Sequence, residues 1–158
     1  MELEKEVYRL LKQKHCTLTT AESATGGMIA STLVNVPGIS EFFQEGYVTY
    51  SDAAKVKMIG VCADTIAQFG VVSAETAADM AKSAARTAGT DAALSVTGVA
   101  GPDGGTDECP VGLVFIGCHL RGVTVTERHQ FQGNRMQVRA AATEAALLLL
   151  CRRLTEQG

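Results

Sequence analysis

The stretch Cys16–Val36, CTLTTAESATGGMIASTLVNV, changes character twice in a short span. Its first six residues are rich in threonine and uncharged, a composition that suits a β-strand. ESATGG follows, with an acid and a serine in front of a glycine pair, the chemistry of a tight turn. MIASTLVNV then has helical periodicity and stops before Pro37-Gly38. A strand, a glycine-containing turn and a helix in this order form a building unit of α/β domains. Backbone N–H groups at such a helix start bind anions, or an oxyanion when a serine attacks a carbonyl. Ser23 and Thr25 are equally the residue types that cap a helix. Neither the complete phosphate-binding loop nor the GxSxG elbow is present, so these residues alone leave both roles open.

The rest of the chain extends the same alternation. Val7, Leu10 and Leu11 form the apolar side of a first short helix, with Lys12 and Lys14 at its C-terminal end. YVTYS (47–51) is a second β-type segment. DAAKVKMIGV behind it reads as a short helix with Ala54, Met58 and Ile59 on one side, and ADTIAQFG as another, closed by Gly70. Ser73 is a suitable N-cap for AETAADMAKSAARTAG, whose alanines at 77, 81, 84, 85 and 88 predict a helix lying close against another element. DAALSVTG is a buried strand. GLVFIGCHL and VTVTERHQF are two strands joined at Arg121-Gly122, and Asn134 caps a final helix with an apolar stripe of Val138, Ala141, Ala142, Ala145, Leu148 and Leu149. Early interleaving of helices and strands, then a hairpin before the last helix, predicts a single-domain three-layer α/β/α fold with a mixed central sheet over residues 1–158.

Composition narrows the function classes. A chain of 158 residues with 46% hydrophobic and 20% charged content reads as one soluble globular domain. A net charge of −3 gives no reason to expect nucleic acid or an anionic membrane as partner. The longest apolar run, AALLLL at 145–150, is far short of the roughly 18 residues of a membrane span. The N-terminus lacks the basic and apolar regions of a signal peptide. Five scattered cysteines (16, 62, 109, 118, 151) form no CxxC pair, so free thiols and a cytoplasmic location are expected. His15, His119 and His129 make no metal-ligand pattern, and Asp103, Asp107 and Glu108 lack the spacing of a calcium loop. No metal and no cofactor are expected. An alanine-lined helix can face a partner subunit as readily as its own sheet, and a homo-oligomer is the expectation.

Chemistry-bearing residues occur in three further places. In VTYSDAAK, Tyr50 and Lys55 are a strand-end tyrosine and a lysine, and lysine is the usual substitute when histidine is not the base of a serine nucleophile. That role needs burial or a cationic neighbour to bring its pKa down from about 10.4; a solvated helix lysine is the plainer alternative. TGVAGPDGGTDECPVG concentrates glycine after a buried strand, as loops do where backbone approaches a ligand. Arg135, at a strand-to-helix junction, can grip phosphate or carboxylate with two N–H groups, although a surface arginine is the commoner outcome.

Taken in order, TTAESATGG, GYVTYSDAAKVKMIGV, GVVSAETAADMA, SVTGVAGPDGGTDECPVGLVFIG and FQGNR resemble the C-terminal domain of the competence-damage-inducible protein CinA, a domain that also occurs alone as a nicotinamide-nucleotide amidohydrolase. The match runs from Glu4 to Leu154, and the start at the domain's first helix suggests the stand-alone form. The resemblance implies hydrolysis of the carboxamide of nicotinamide mononucleotide to nicotinate mononucleotide and ammonia, without a metal. It maps the family's serine, tyrosine and lysine onto Ser23, Tyr50 and Lys55. Thr25, Gly26 and Gly27 would hold the oxyanion or the phosphate; Thr97, Gly98, Gly101, Gly104 and Gly105 would lie against the nucleotide. Arg135 would pair with the phosphate, with Arg139 a rival. Tyr50 would orient Ser23 or Lys55, or pass a proton to ammonia. A small-molecule nucleotide is thus the expected partner. A non-catalytic nucleotide-binding module and an amidohydrolase of another amide are the alternatives. Glu22 has no assigned role.

Overall fold

The computed structural model describes residues 2–157. Helix α1 (Leu3–Lys14) leads into β1 (Leu18–Glu22), α2 (Met28–Leu33) and β2 (Phe43–Val48). Three helices follow, α3 (Asp52–Ile59), α4 (Ala63–Phe69) and α5 (Ala74–Ala88), and then β3 (Ala92–Gly98). The hairpin β4 (Leu113–Leu120) and β5 (Val123–Gln130) precedes α6 (Arg135–Glu156). The strand order is β2-β1-β3-β4-β5, with β1 parallel to β2 and β3 and the hairpin antiparallel. The expected α/β/α domain with a mixed sheet is therefore the observed one.

Strand alternation sorts the two faces. Leu18, Leu94, Val96, Val114, Ile116, Cys118 and Leu120 pack under α1, α2 and α6. The opposite face carries Ala21 and Ala93, against Met80, Ala84 and Ala85 of α5. Small residues there bring helix and sheet backbones together: the Ser95 hydroxyl donates to Ala77 O at 2.6 Å. A Cβ on Gly117 of β4 would stand 2.5 Å from that same carbonyl oxygen. The alanine pattern of α5 correctly anticipates this close approach.

Three local expectations are corrected. Helix α2 ends at Leu33 rather than Val36, because the chain turns through Val34–Gly38, where Gly38 has φ +90°. In α3 the buried pair is Lys55 and Ile59, while Met58 is 43% exposed. In α6 the buried face is Val138, Ala142, Thr143, Ala146, Leu147, Leu149, Leu150 and Leu154, with Leu148 43% exposed. AALLLL is apolar on every side, so periodicity alone does not select a face; packing on β4 and α1 does.

Chain order places the site. From β1 the chain crosses to β2 through α2 on one face, then reaches β3, on β1's other side, through α3–α5 on the other face. The connections diverge at the carboxyl end of β1, and such switch points leave a crevice where ligands bind in open α/β sheets. We expect Gly117→Ala to lower the melting temperature by about 3–10 °C, since α5 must move away. Leu148→Ala should shift it by less than about 2 °C, both read by circular dichroism on heating.

Candidate active site

Glu22 closes β1 and Ser23 follows it directly. The ladder continues past the strand: Ser23 N–H donates to Val96 O at 3.0 Å and Thr49 N–H to Glu22 O at 2.9 Å. Both neighbouring strands thus hold the backbone at the serine. The Glu22 side chain, 1% exposed, lies on the α2 face. It accepts from Thr25 Oγ1 (2.7 Å), Ile29 N (2.8 Å) and Ala30 N (3.1 Å). A carboxylate at a helix N-terminus is favoured by the unpaired N–H groups and the helix dipole. The residue without a role in the sequence is the one that ties strand, turn and helix together.

Several of the donors that the sequence left open to a ligand at the start of α2 have partners within the protein. Ile29 N and Ala30 N are taken by Glu22, Gly26 N donates to Ser23 O and Met28 N to Thr25 O. Thr25 is fully buried, and Gly26 and Gly27, at φ +58° and +106°, turn the chain into the helix. None of these three lines the cavity beside Ser23. Arg139 is likewise committed, its Nε donating to Ala24 O (3.0 Å) and an η nitrogen to Thr25 O (2.9 Å). It clamps the turn behind the serine and does not line the cavity.

Lys55 comes from α3, whose N-cap Ser51 accepts from Ala54 N at 3.0 Å. One helical turn in, its side chain runs inward to 1% exposure. Nζ lies 2.8 Å from Thr49 O and 3.2 Å from Ser23 Oγ. Burial disfavours the charged ammonium and lowers its pKa, partly opposed by the nearby Asp52 carboxylate. A lysine with a lowered pKa within hydrogen-bond reach of a serine hydroxyl has the geometry that nucleophile–base chemistry requires.

The pair opens onto a cavity of about 300 Å³ at the carboxyl ends of β1, β2 and β3. Thr97, Gly98, Gly101 and Gly104, assigned to the ligand in the sequence, line it with Arg135 and Tyr50. Gly105 does not; it packs against Val111. Arg135, at the first position of α6, donates to Gly101 O and to the Tyr50 hydroxyl, both at 2.8 Å. Tyr50 sits two residues beyond β2, is 61% exposed, and among the described residues makes no hydrogen bond to Ser23 or Lys55. The loop carboxylates Asp103, Asp107 and Glu108 gather no metal-binding group among the described residues. All five cysteines are free.

Sequence reasoning missed Asp52, Val71 and Val72, which also line the cavity. Val71 and Val72 arrive through tertiary contacts, with Thr97 Oγ1 donating to Val71 O at 2.8 Å. Asp52 had a local signal, standing in the first turn of the helix that carries Lys55.

Fold and site together define an α/β domain with a serine–lysine pair at the carboxyl ends of its parallel strands. The chain belongs to the CinA C-terminal domain family, whose family model matches residues 1–154. It is 50% identical over 145 residues to a CinA-like protein of Kosmotoga olearia, a match covering 92% of this chain and 35% of that protein. The chain spans about a third of the length of the curated relatives it matches. A crystal structure of a CinA superfamily protein from Klebsiella pneumoniae superposes with a TM-score of 0.94 at 37% identity, covering 98% of this chain and 97% of that one. The competence/damage inducible protein CihA of Agrobacterium tumefaciens gives a TM-score of 0.90 at 36% identity, covering 98% and 96%. Among the described residues no helix is long and apolar enough to cross a membrane.

Glu22→Ala strips the acceptor from three buried donors and should cost about 3–5 kcal/mol in urea unfolding. Glu22→Gln, which keeps one acceptor oxygen, should cost roughly half as much. Equal losses in the two variants would remove the capping role.

Proposed function

We propose that this protein is an amidohydrolase that converts nicotinamide mononucleotide to nicotinate mononucleotide and ammonia. The observation that carries the reading is the buried Lys55 Nζ at 3.2 Å from Ser23 Oγ, at the edge of a cavity that also presents Arg135. Pure binding has no use for a desolvated lysine beside a serine, since burying an ammonium is costly.

In the proposed reaction Ser23 Oγ attacks the carboxamide carbon while neutral Lys55 takes its proton. The tetrahedral oxyanion would lie against backbone N–H groups; Ala24, the residue after the nucleophile, lines the cavity. Protonated Lys55 then gives its proton to the amide nitrogen, which leaves as ammonia, and Ser23 is left as an ester. Water attacks that ester with Lys55 again as base, releasing the carboxylate and restoring the serine. Arg135 would hold the phosphate through paired N–H groups. Its bond to the Tyr50 hydroxyl favours a tyrosine that steadies the guanidinium over one that relays a proton.

Ser23→Ala and Lys55→Ala should each reduce ammonia release from nicotinamide mononucleotide at least 10³-fold, on the scale of removing a nucleophile or its base. Circular dichroism should show both variants folded. Full activity in either dismisses the pair, and nucleotide binding without ammonia from the unaltered protein would mark a binding module. Arg135→Ala should raise KM for the nucleotide by about tenfold and leave the riboside unaffected.

The pH dependence has a definite sign. Lys55 must be neutral to act as base, so kcat/KM should rise with pH and level off below the ordinary lysine value of about 10.4. Folding stability should rise across the same window, because the unfolded chain there binds more protons than the native one. A rate profile that climbs only at the ordinary lysine value would contradict the burial of Lys55.

A further inference from the structure

Four charged side chains line the cavity: Asp52, Lys55, Asp103 and Arg135. Two have work in the proposed reaction and Asp52 has none. An acid in the first turn of α3 complements the helix dipole, which accounts for its place on the helix but not for its place on the cavity wall. Asp52 precedes Lys55 by three residues, a spacing that sets two side chains on one side of a helix. It therefore belongs to the end of the cavity where Ser23 and Lys55 meet, and its charge is felt at Lys55. Arg135 is held elsewhere, by Gly101 O and the Tyr50 hydroxyl, with no hydrogen bond among the described residues to Ser23 or Lys55. The wall thus carries the Asp52 carboxylate beside the nucleophile and the Arg135 guanidinium away from it, with Asp103 on the glycine-rich loop.

A ligand matching that polarity carries a cationic group next to its carboxamide and an anion further away. Resting on the amidohydrolase reading, we infer that Asp52 is a specificity-determining residue, selecting a carboxamide borne on a cationic pyridinium ring over the same carboxamide on an uncharged ring. Hydrolysis adds to its effect. The neutral amide becomes a carboxylate as ammonia leaves, so a new negative charge forms at the Asp52 end. The residue that draws in the substrate ring thereby weakens the hold on the product.

Calorimetric titration on a Ser23→Ala background tests this without turnover. The probes are nicotinamide mononucleotide, its 1,4-dihydro form with an uncharged ring, and nicotinate mononucleotide. The Ser23→Ala protein should bind the pyridinium form about tenfold more tightly than the dihydro form, as a carboxylate–cation pair in a partly solvated cavity allows. Adding Asp52→Asn should remove most of that preference and tighten nicotinate mononucleotide about threefold. Asp103→Asn makes the same charge change on the glycine-rich loop and should leave the preference in place. The inference is overturned if the Ser23→Ala protein shows no preference, if Asp52→Asn weakens both ring forms alike, or if Asp103→Asn erases the preference equally well. Ammonia release by protein with Ser23 intact is a separate readout: its absence sinks the amidohydrolase reading, while the ring-charge preference stands or falls on the titration. No binding of either ring form overturns both.

Discussion

The buried carboxylate of Glu22 is the constraint on which the site depends. It stands at the end of the central parallel strand, with three donors from the following turn and helix around it. Burying such a group is costly unless it is fully hydrogen-bonded, and the first N–H groups of a helix need an acceptor just as strongly. Each need meets the other here. The chain between them, Ser23 to Gly27, has little freedom left, and Arg139 removes more by holding the carbonyls of Ala24 and Thr25. The backbone that carries the serine hydroxyl is fixed by groups that do not line the cavity.

Lys55 is the counterpart on the other side of the sheet's carboxyl edge. Its helix offers only Ile59 as an apolar partner in the buried face, and the lysine is drawn inward by the Thr49 carbonyl and the serine hydroxyl. That position disfavours the ammonium form. The cost of desolvation appears as a lowered pKa, which is the property a base needs. The small-residue contact between α5 and the sheet supports this arrangement at a distance. Met80, Ala84 and Ala85 of α5 pack in one cluster with Ile59 and Val61, at the end of the helix that carries the lysine.

How much of this could be read in advance varied with the origin of each signal. Elements with strong local punctuation were legible: Ser73 does cap α5, accepting from Thr76 N, and Asn134 does cap α6, in a reciprocal capping box with Gln137. The inward face of α6 was not, because a run of leucines has no polar side to exclude. Ser23, Lys55, Thr97, Gly101 and Arg135 were singled out and share one cavity. Thr25, Gly26 and Gly27, assigned to the ligand, form the turn and do not line that cavity. The Thr25 hydroxyl looked available only because nothing in the sequence shows where a glutamate three residues back will point.

The sequence by itself determined the alternation of strands and helices, the small-residue face of α5 and the set of residue types able to do acyl chemistry. Those depend on side-chain period, capping chemistry and backbone freedom, which act over a few neighbouring residues. The tertiary structure alone decided that Lys55 is buried against Ser23, that Arg135 rather than Arg139 reaches the cavity, and that Glu22 takes the first donors of α2. Each of those is a competition between partners far apart in the chain for one hydrogen bond or one dry space. Only the packed sheet brings the competitors within reach of each other.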